Sequence, residues 1–381
     1  MVAIVKCPDY GAGNVRGAVE EAVRLAELED EFRGAGTALL KPNLLSARRP
    51  EEAVTTHPAI VEAVGELARE AGCGLIVGDS PPFAGANPSR YASLLRATGM
   101  TACAERLGAR IARFEEDPVE VRNPSGRCYK SFEIGRAVNS ADVLVNIPKL
   151  KTHGLTVFTG AVKNLFGCVP GISKGLFHVQ AAEDRQVFAQ MLVDLLEVLR
   201  PRVNIMDAVT AMEGEGPNAG RPRQVGAVLA SSDPVALDAA ACAIVGIDPM
   251  SVDTTRLAWE QGLGSGDLSR VETRGEPIER VAVSDFALSS GASDWARIPR
   301  PVRAILRRHL VARPVTDAKS CTGCGDCSTA CPVGAISPGR PPRIDLQKCI
   351  RCYCCAEVCN FEAVNLRHSL LARMMERLKK R

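Results

Sequence analysis

Two stretches near the end of the chain repeat one spacing of cysteines: Cys321-Thr-Gly-Cys324-Gly-Asp-Cys327-Ser-Thr-Ala-Cys331-Pro332 and Cys349-Ile-Arg-Cys352-Tyr-Cys-Cys355-Ala-Glu-Val-Cys359-Asn360. In each stretch three thiolates follow one another at a spacing that lets them wrap around one [4Fe-4S] cluster. The two runs therefore predict two [4Fe-4S] clusters. Paired Cys-x-x-Cys spacings also occur in zinc sites, but two complete runs of this kind fit a zinc ribbon poorly.

The fourth cysteine of each run predicts how the two clusters share their ligands. In the bacterial pattern the close triplet holds one cluster and the fourth cysteine ligates the other. On that pattern the first cluster is held by Cys321, Cys324, Cys327 and Cys359, and the second by Cys349, Cys352, Cys355 and Cys331. Residues 317–367 resemble a two-cluster bacterial ferredoxin, and the resemblance implies a small α+β ferredoxin-like domain that transfers single electrons.

The composition of the 381 residues is typical of a globular protein, with 46% apolar and 24% charged residues. Fifteen cysteines without a basic and apolar leader indicate a reducing compartment, so we expect a cytoplasmic protein. No uncharged apolar run is long enough to form a transmembrane segment. Aromatic residues make up only 4% of the chain, which disfavours nucleic-acid binding by base stacking.

Charge is divided unevenly along the chain. Residues 297–381 contain 17 Lys and Arg but 6 Asp and Glu, whereas the first 296 residues carry a net charge of −8. This basic surface could dock an acidic redox protein such as a ferredoxin, a flavodoxin or a reductase, or it could dock on the acidic body of the protein itself. Residues 368–381 also have the pattern of a basic amphipathic helix, which is compatible with peripheral membrane contact.

The first 295 residues alternate short apolar strands with amphipathic helices. Strands are predicted at, among other places, residues 2–6, 37–41, 75–79, 142–147 and 280–283. This alternation predicts an α/β fold with a mostly parallel sheet covered by helices. The chain divides into this body (1–295), a basic helix or linker (296–316), the ferredoxin-type domain (317–367) and a C-terminal helix (368–381).

Polar residues follow several of the predicted strands, at the edge where parallel sheets bind ligands. The densest group lies in residues 146–167, where ammonium, hydroxyl and amide side chains would favour an anionic small molecule. The candidate catalytic residues are His153, Lys151, His57 and His178. The candidate anion- or substrate-binding residues are Lys41, Asn43, Asp79, Ser80, Lys149, Lys163, Asn164 and Glu213. If the three histidines converge, they could serve as acid–base or metal-binding groups.

Several motifs of the body occur together in one known family. They are Lys41-Pro-Asn43, Thr56-His57-Pro58, Gly78-Asp79-Ser80-Pro81, Pro148-Lys-Leu-Lys-Thr-His153, Gly160-Ala-Val-Lys-Asn-Leu-Phe-Gly167, Glu213-Gly-Glu-Gly-Pro217 and Ser232-Asp-Pro-Val-Ala-Leu-Asp238. Through these motifs residues 2–286 resemble the domain-of-unknown-function-362 family, whose members often carry a C-terminal two-cluster ferredoxin domain. The resemblance implies an α/β body joined to an electron-transfer module, and it names no substrate.

Two functions fit these features. In the first, the protein is an iron–sulfur oxidoreductase that passes electrons from a redox partner to a substrate or cofactor at the anion-binding site of the body. In the alternative, it is a ferredoxin-type electron carrier or a scaffold subunit of a redox complex, with no catalysis of its own. The sequence also leaves room for an additional flavin or metal in the body, and for a non-redox enzyme whose metal cofactor the clusters keep reduced.

The substitution Cys331→Ser tests the predicted exchange of ligands between the two clusters. Because Cys331 is assigned to the cluster of the later triplet, we expect its EPR signal to change while the other signal persists. The matched variant Cys359→Ser should change the EPR signal of the earlier-triplet cluster and leave that of the later-triplet cluster intact. Loss of the earlier-triplet signal alone in Cys331→Ser would contradict the assignment.

Overall fold

The structure is a computed structural model that describes residues 1–82, 84–85, 87–181, 184–289 and 312–367. Among these described residues, twelve strands precede the cysteine-rich part of the chain: β1 (Val2–Lys6), β2 (Thr37–Pro42), β3 (Gly74–Gly78), β4 (Arg110–Ala112), β5 (Pro118–Arg122), β6 (Ser131–Gly135), β7 (Val143–Ile147), β8 (Lys149–His153), β9 (Val157–Thr159), β10 (Val203–Glu215), β11 (Ala219–Ser231) and β12 (Thr273–Gly275). All but the β5–β6 hairpin belong to one sheet of ten strands.

The strand order of this sheet is β12-β1-β11-β10-β7-β2-β3-β4, with β8 paired to β10 and β9 paired to β8. The neighbours from β10 to β4 along this order are parallel. In this order only β11 breaks the parallel arrangement, because it is antiparallel to both of its neighbours, β1 and β10. The sheet is therefore mostly parallel, as the alternation of strands and helices predicts.

The helices of the body pack on both faces of this sheet. They are α1 (Ala12–Leu25), α2 (Pro58–Glu70), α3 (Pro88–Ala97), α4 (Met100–Leu107), α5 (Arg136–Ser140), α6 (Ala161–Asn164), α7 (Gly171–Gln180), α8 (Arg185–Leu199), α9 (Pro234–Ile244), α10 (Asp253–Glu260) and α11 (Ile278–Val281). In β2, Ala38 and Leu40 pack into the core beneath α1 and α2, whereas Leu39 packs into a second core that includes α8. Alternate strand residues thus face two helical layers.

The cysteine-rich module, residues 312–367, contains β13 (Arg313–Thr316), α12 (Asp326–Thr329), β14 (Ile336–Ser337), β15 (Arg343–Ile344), α13 (Cys354–Glu357) and β16 (Val364–Arg367). Its first and last strands pair antiparallel, so the module begins at about Arg313 rather than at residue 317. The small α+β architecture agrees with the sequence. None of the helices in the described ranges is long and apolar enough to cross a membrane.

The module is docked against the body through polar contacts at several separate points. Arg48 and Arg90 of the body pair with Glu362 and Asp326, each with a nitrogen–oxygen distance of 2.8 Å. Asn218 Nδ2 donates to the backbone oxygen of Cys359 at 3.1 Å. These contacts fix the surface of the module that faces the body.

Three segments differ from the sequence prediction or lie outside the described residues. Residues 280–283 were predicted as a strand, but Ile278–Val281 forms the helix α11 after Pro277, and β12 takes the edge of the sheet beside β1. An alternation of apolar residues over four positions suits a single helical turn equally well. Most of the predicted linker (296–316) and the predicted C-terminal helix (368–381) lie outside the described residues.

Asp194 ties helix α8 to the loop that precedes β6. Its buried carboxylate accepts hydrogen bonds from the backbone N–H groups of Arg127, Cys128 and Tyr129, at 2.7 to 3.0 Å. We expect Asp194→Asn to lower the free energy of unfolding by about 1.5–3 kcal/mol, because an amide nitrogen cannot accept these bonds. Urea unfolding measures this, with the exposed Asp30→Asn as control. An unchanged midpoint would show that the carboxylate does not hold the loop.

Candidate functional site

The ends of β2 and β3 bring a lysine and an aspartate together inside the protein. Lys41 Nζ lies 2.7 Å from Asp79 Oδ1, and the second carboxylate oxygen accepts the backbone N–H of Leu44 at 2.7 Å. The backbone of Gly167 runs so close to this pair that a side chain there would collide with both residues. The pair therefore joins two strand ends to the segment that follows β9.

Lys149, Lys151 and His153 alternate along β8, so their side chains share one face of the strand. All three are buried, and each has a partner of its own. Lys149 pairs with Asp207 at 2.8 Å, Lys151 donates to the backbone oxygen of Val54 at 2.7 Å, and His153 Nε2 lies 3.2 Å from Glu357 Oε1. Burial lowers the pKa of all three side chains. These groups are thus engaged within the protein.

Lys149 belongs to a network away from the other lysines. Asp207 also accepts the Tyr10 hydroxyl at 2.8 Å and the backbone N–H of His57 at 2.9 Å. The rings of Tyr10 and His57 stack with centroids 3.7 Å apart. Burial lowers the pKa of His57 to about 4, so its ring is neutral at pH 7. This network holds α2 against β10.

A pocket of about 740 Å³, counted with the solvent at its mouth, lies between the body and the cysteine-rich module. The body contributes Asn43, Leu44, Leu45, Asp79, Ser80, Pro82, Thr159, Lys163, Asn164, Phe166, Gly167, Gly171, Lys174, Gly175 and His178, and the module contributes Cys354, Glu357 and Val358. Both halves of the protein are thus needed to form it.

The charged groups of this pocket come from three different elements. Lys163 lies on α6, Lys174 on α7 and Glu357 on α13. Burial lowers the pKa of Lys163, and it lowers that of Lys174 to about 8. Lys174 Nζ donates to the backbone oxygen of Ser80 and lies 5.4 Å from the ring centre of Phe166. Burial alone would raise the pKa of Glu357, but His153 and Lys163 lower it to about 2.

The three candidate histidines do not converge on one point. His153 contacts Glu357, and His178 lines the pocket and stacks on Phe188 with ring centroids 4.6 Å apart. His57 belongs instead to the Asp207 network. Among the described residues, no group of three or more His, Cys, Asp or Glu side chains forms a site for a single metal ion, as distinct from an iron–sulfur cluster. Burial lowers the pKa of His153 and His178 to about 4, so both are neutral at pH 7.

Of the anion- and substrate-binding candidates, five line the pocket directly: Asn43, Asp79, Ser80, Lys163 and Asn164. Lys41 lies behind Asp79. Glu213 lies outside the pocket, where it pairs with Arg221 at 2.8 Å and accepts the backbone N–H of Ala287.

Sequence reasoning missed Lys174 and Glu357. Lys174 lies four residues before His178 on one helix face, a spacing that could have revealed it. Glu357 lies within the second cysteine run, and no spacing rule predicts a functional carboxylate at that position.

The N-terminus of α6 is not available to an anion. Asp238 Oδ1 and Oδ2 accept the backbone N–H groups of Ala161 and Val162 at 2.5 and 3.0 Å. Free N–H groups at a helix N-terminus commonly bind anions. In this structure a carboxylate of the chain occupies that position, so anion binding falls to side chains.

The cysteines of the module are arranged in two groups that suit iron–sulfur clusters. One cavity is lined by Cys321, Cys324, Cys327 and Cys359, which come from both runs. In the other group, Cys331, Cys349 and Cys352 are the electrostatic neighbours of Cys355. The sulfurs of Cys359 and Cys331 accept the backbone N–H groups of Ala363 and Ala335, at 3.2 and 3.1 Å. Such amide-to-sulfur bonds support thiolates that ligate a cluster.

Comparison with known families gives two matches. Residues 38–243 match a family described as a domain of unknown function (DUF362), and residues 313–360 match the 4Fe-4S dicluster domain. The first match covers more than half of the chain. The second identifies an iron–sulfur cofactor as the group that the cysteine-rich module binds.

Two individual proteins resemble the chain. The thylakoid-associated protein sll1697 of Synechocystis sp. is 34% identical over 268 residues, which are 69% of this chain and 79% of that protein. The structure of the lactate racemase apoprotein from Thermoanaerobacterium thermosaccharolyticum aligns with a TM-score of 0.40 at 14% identity. That alignment covers 61% of this chain and 54% of the other.

His178→Phe tests the neutral state of the buried histidine. An unfolded histidine has a pKa of about 6.5, whereas burial holds that of His178 at about 4. Between these values the unfolded chain binds a proton that the folded protein does not, so stability falls as the pH falls. This histidine should account for about 2 kcal/mol of that loss between pH 7 and pH 5.

The measurement is urea unfolding of the anaerobic protein at both pH values, where His178→Phe should show the smaller loss. The exposed Leu176→Phe on the same helix is the control and should behave like the wild type. An equal pH dependence in His178→Phe and wild type would contradict the lowered pKa.

Proposed function

Because the chain belongs to the DUF362 family and carries an iron–sulfur module, we propose that it is an oxidoreductase that passes electrons from a redox partner to an anionic molecule bound in the shared pocket. The observation that carries this proposal is the position of the pocket. Its walls include Cys354, Glu357 and Val358, which lie beside the ligand candidate Cys355. A molecule bound there is next to the iron–sulfur site.

Two [4Fe-4S] clusters with exchanged fourth ligands fit the cysteine positions. The residues assigned to the first cluster line one cavity although they come from both runs. When bound, the clusters supply single electrons. Cys355 has Cys327 of the first group among its electrostatic neighbours, so the two groups adjoin each other. Short separation between the groups favours transfer from one to the other.

The outer edge of the first cysteine group suits a partner protein. Cys324 is exposed, and Phe361, which lines the same cavity, is 47% exposed. A ferredoxin, a flavodoxin or a reductase could approach this edge without crossing the body. The relative from Synechocystis is described as thylakoid-associated, and the basic amphipathic pattern of residues 368–381 would support a peripheral contact of the same kind here.

Within the pocket, the proton donor is Lys174. Its ammonium group lies on the pocket wall, is held by the Ser80 carbonyl and has a pKa near 8. A general acid works best when its pKa lies near the working pH. His153 and His178 are already neutral at pH 7, and Lys41 and Lys149 are occupied in ion pairs. Lys174 is therefore best placed to protonate a reduced product.

Lys174→Met tests catalysis by the body. The anaerobic protein, checked for about eight irons per chain, is photoreduced and mixed with 2-oxo acids, 2-enoic acids and flavin mononucleotide, and reoxidation is followed by absorbance. We expect at least one acceptor to reoxidise the wild type, and Lys174→Met to slow that reaction at least tenfold with the iron content unchanged.

The matched control is Lys130→Met, since Lys130 is exposed and donates only to the Pro124 carbonyl at 3.0 Å. It should react like the wild type. Equal rates in Lys174→Met and wild type would exclude the proton-donor role. Reoxidation by a ferredoxin or flavodoxin, with none by any small acceptor, would instead support the electron carrier.

A further inference from the structure

The wall of the pocket includes polar groups that the protein itself leaves unsatisfied. Within the described ranges, the Lys163 ammonium has neither a hydrogen-bond nor an ion-pair partner, although its side chain is only partly exposed. The Thr159 hydroxyl, on a residue only 2% exposed, also has no partner. The other lysines of this region are engaged: Lys41, Lys149, Lys151 and Lys174 each donate to a carboxylate or a carbonyl.

An unsatisfied ammonium and an unsatisfied hydroxyl that line one pocket favour a ligand with oxygen acceptors. Leaving a buried polar group without a partner is unfavourable, and an anion would satisfy both groups at once. The backbone cannot take this role, because Asp238 already accepts the N–H groups at the start of α6. Lys163 and Thr159 are therefore two side-chain donors that a ligand could use.

The charges around the pocket favour a ligand with no more than one negative charge. Asp79 is balanced by Lys41 at 2.7 Å, which leaves Lys163 and Lys174 as positive groups and Glu357 as a negative group on the wall. The remaining excess is a single positive charge. Glu115, which accepts the Ser80 hydroxyl and the backbone N–H of Gly171 behind the wall, reduces it further. A dianion such as a phosphate would be repelled by these carboxylates.

The rest of the pocket wall is apolar. Leu44, Leu45, Pro82 and Phe166 of the body and Val358 of the module line it. Such a surface favours a ligand whose remaining part carries no charge and can leave water. The polar and apolar parts of the wall thus belong to one site for an amphipathic molecule.

We propose that the pocket binds a small monocarboxylic acid, with its carboxylate against Lys163 and Thr159 and its apolar part against Leu44 and Phe166. This inference rests on the proposed function in taking the pocket as the substrate site, and it adds the substrate class. Lys163 has Glu357 and Cys354 of the module as electrostatic neighbours, so the bound carboxylate lies near the module.

Isothermal titration of the intact, cluster-containing protein under anaerobic conditions tests the proposal, with butyrate, butyl phosphate and butanol as probes. We expect butyrate to bind more tightly than either of the other two. Lys163→Met should weaken butyrate binding ten- to hundredfold, because it removes a charge-assisted hydrogen bond. Thr159→Val, which keeps the shape of the side chain, should weaken it severalfold.

The matched control is Lys6→Met, because Lys6 is 58% exposed and pairs only with Glu276; it should bind butyrate like the wild type. Tighter binding of butyl phosphate, equal affinity in Lys163→Met and wild type, or no binding of butyrate would each overturn the proposal. Binding without electron transfer to any small acceptor would leave this inference standing and remove the proposed function. Electron transfer to a small acceptor without Lys163-dependent butyrate binding would leave the proposed function standing and overturn this inference.

Discussion

Lys41 and Asp79 form a buried ion pair at the ends of two neighbouring parallel strands, and the pocket is assembled around it. The carboxylate also accepts the backbone N–H of Leu44, and Gly167 passes directly against the pair. The N–H of Ser80 then bonds the carbonyl of Gly167 at 2.9 Å. An ion pair removed from water is stable only when its geometry and hydrogen bonds are complete. Because several segments must meet here to complete it, the pair defines the floor of the site.

The need to give every buried charge a partner also explains why the lysines of residues 149–163 do not all act as free positive charges. Lys149 and Lys151 are both buried, but one is paired with Asp207 and the other with the carbonyl of Val54. Their positive charges are used to join β8 to its surroundings. Lys163, on α6, lines the pocket and has no hydrogen-bond or ion-pair partner among the described residues. A cluster of lysines in the sequence thus separates into groups that support the fold and one that faces the pocket.

The sequence and the structure agree most closely where a function depends on local spacing. The two cysteine runs and the alternation of strands and helices are of this kind, because their geometry is repeated along the chain. Contacts between residues distant in sequence cannot be predicted from local spacing. Lys149 pairs with Asp207, 58 residues later, and His57 joins the same network rather than the other histidines. Lys174 and Glu357 line one pocket only because α7 and α13 both border it. Their contribution depends on how the module docks, which no motif encodes.

The shared wall of the pocket has a consequence for how the protein matures. Helix α13, which supplies Cys354 and Glu357, lies within the second cysteine run, and the module has only a small apolar core of its own. A domain of this kind gains much of its folding free energy from the metal group that its thiolates hold. Newly made chains without iron and sulfide would therefore lack one wall of the pocket. Under the proposed function, such chains would bind no substrate, and binding would begin only after the cofactor has been inserted.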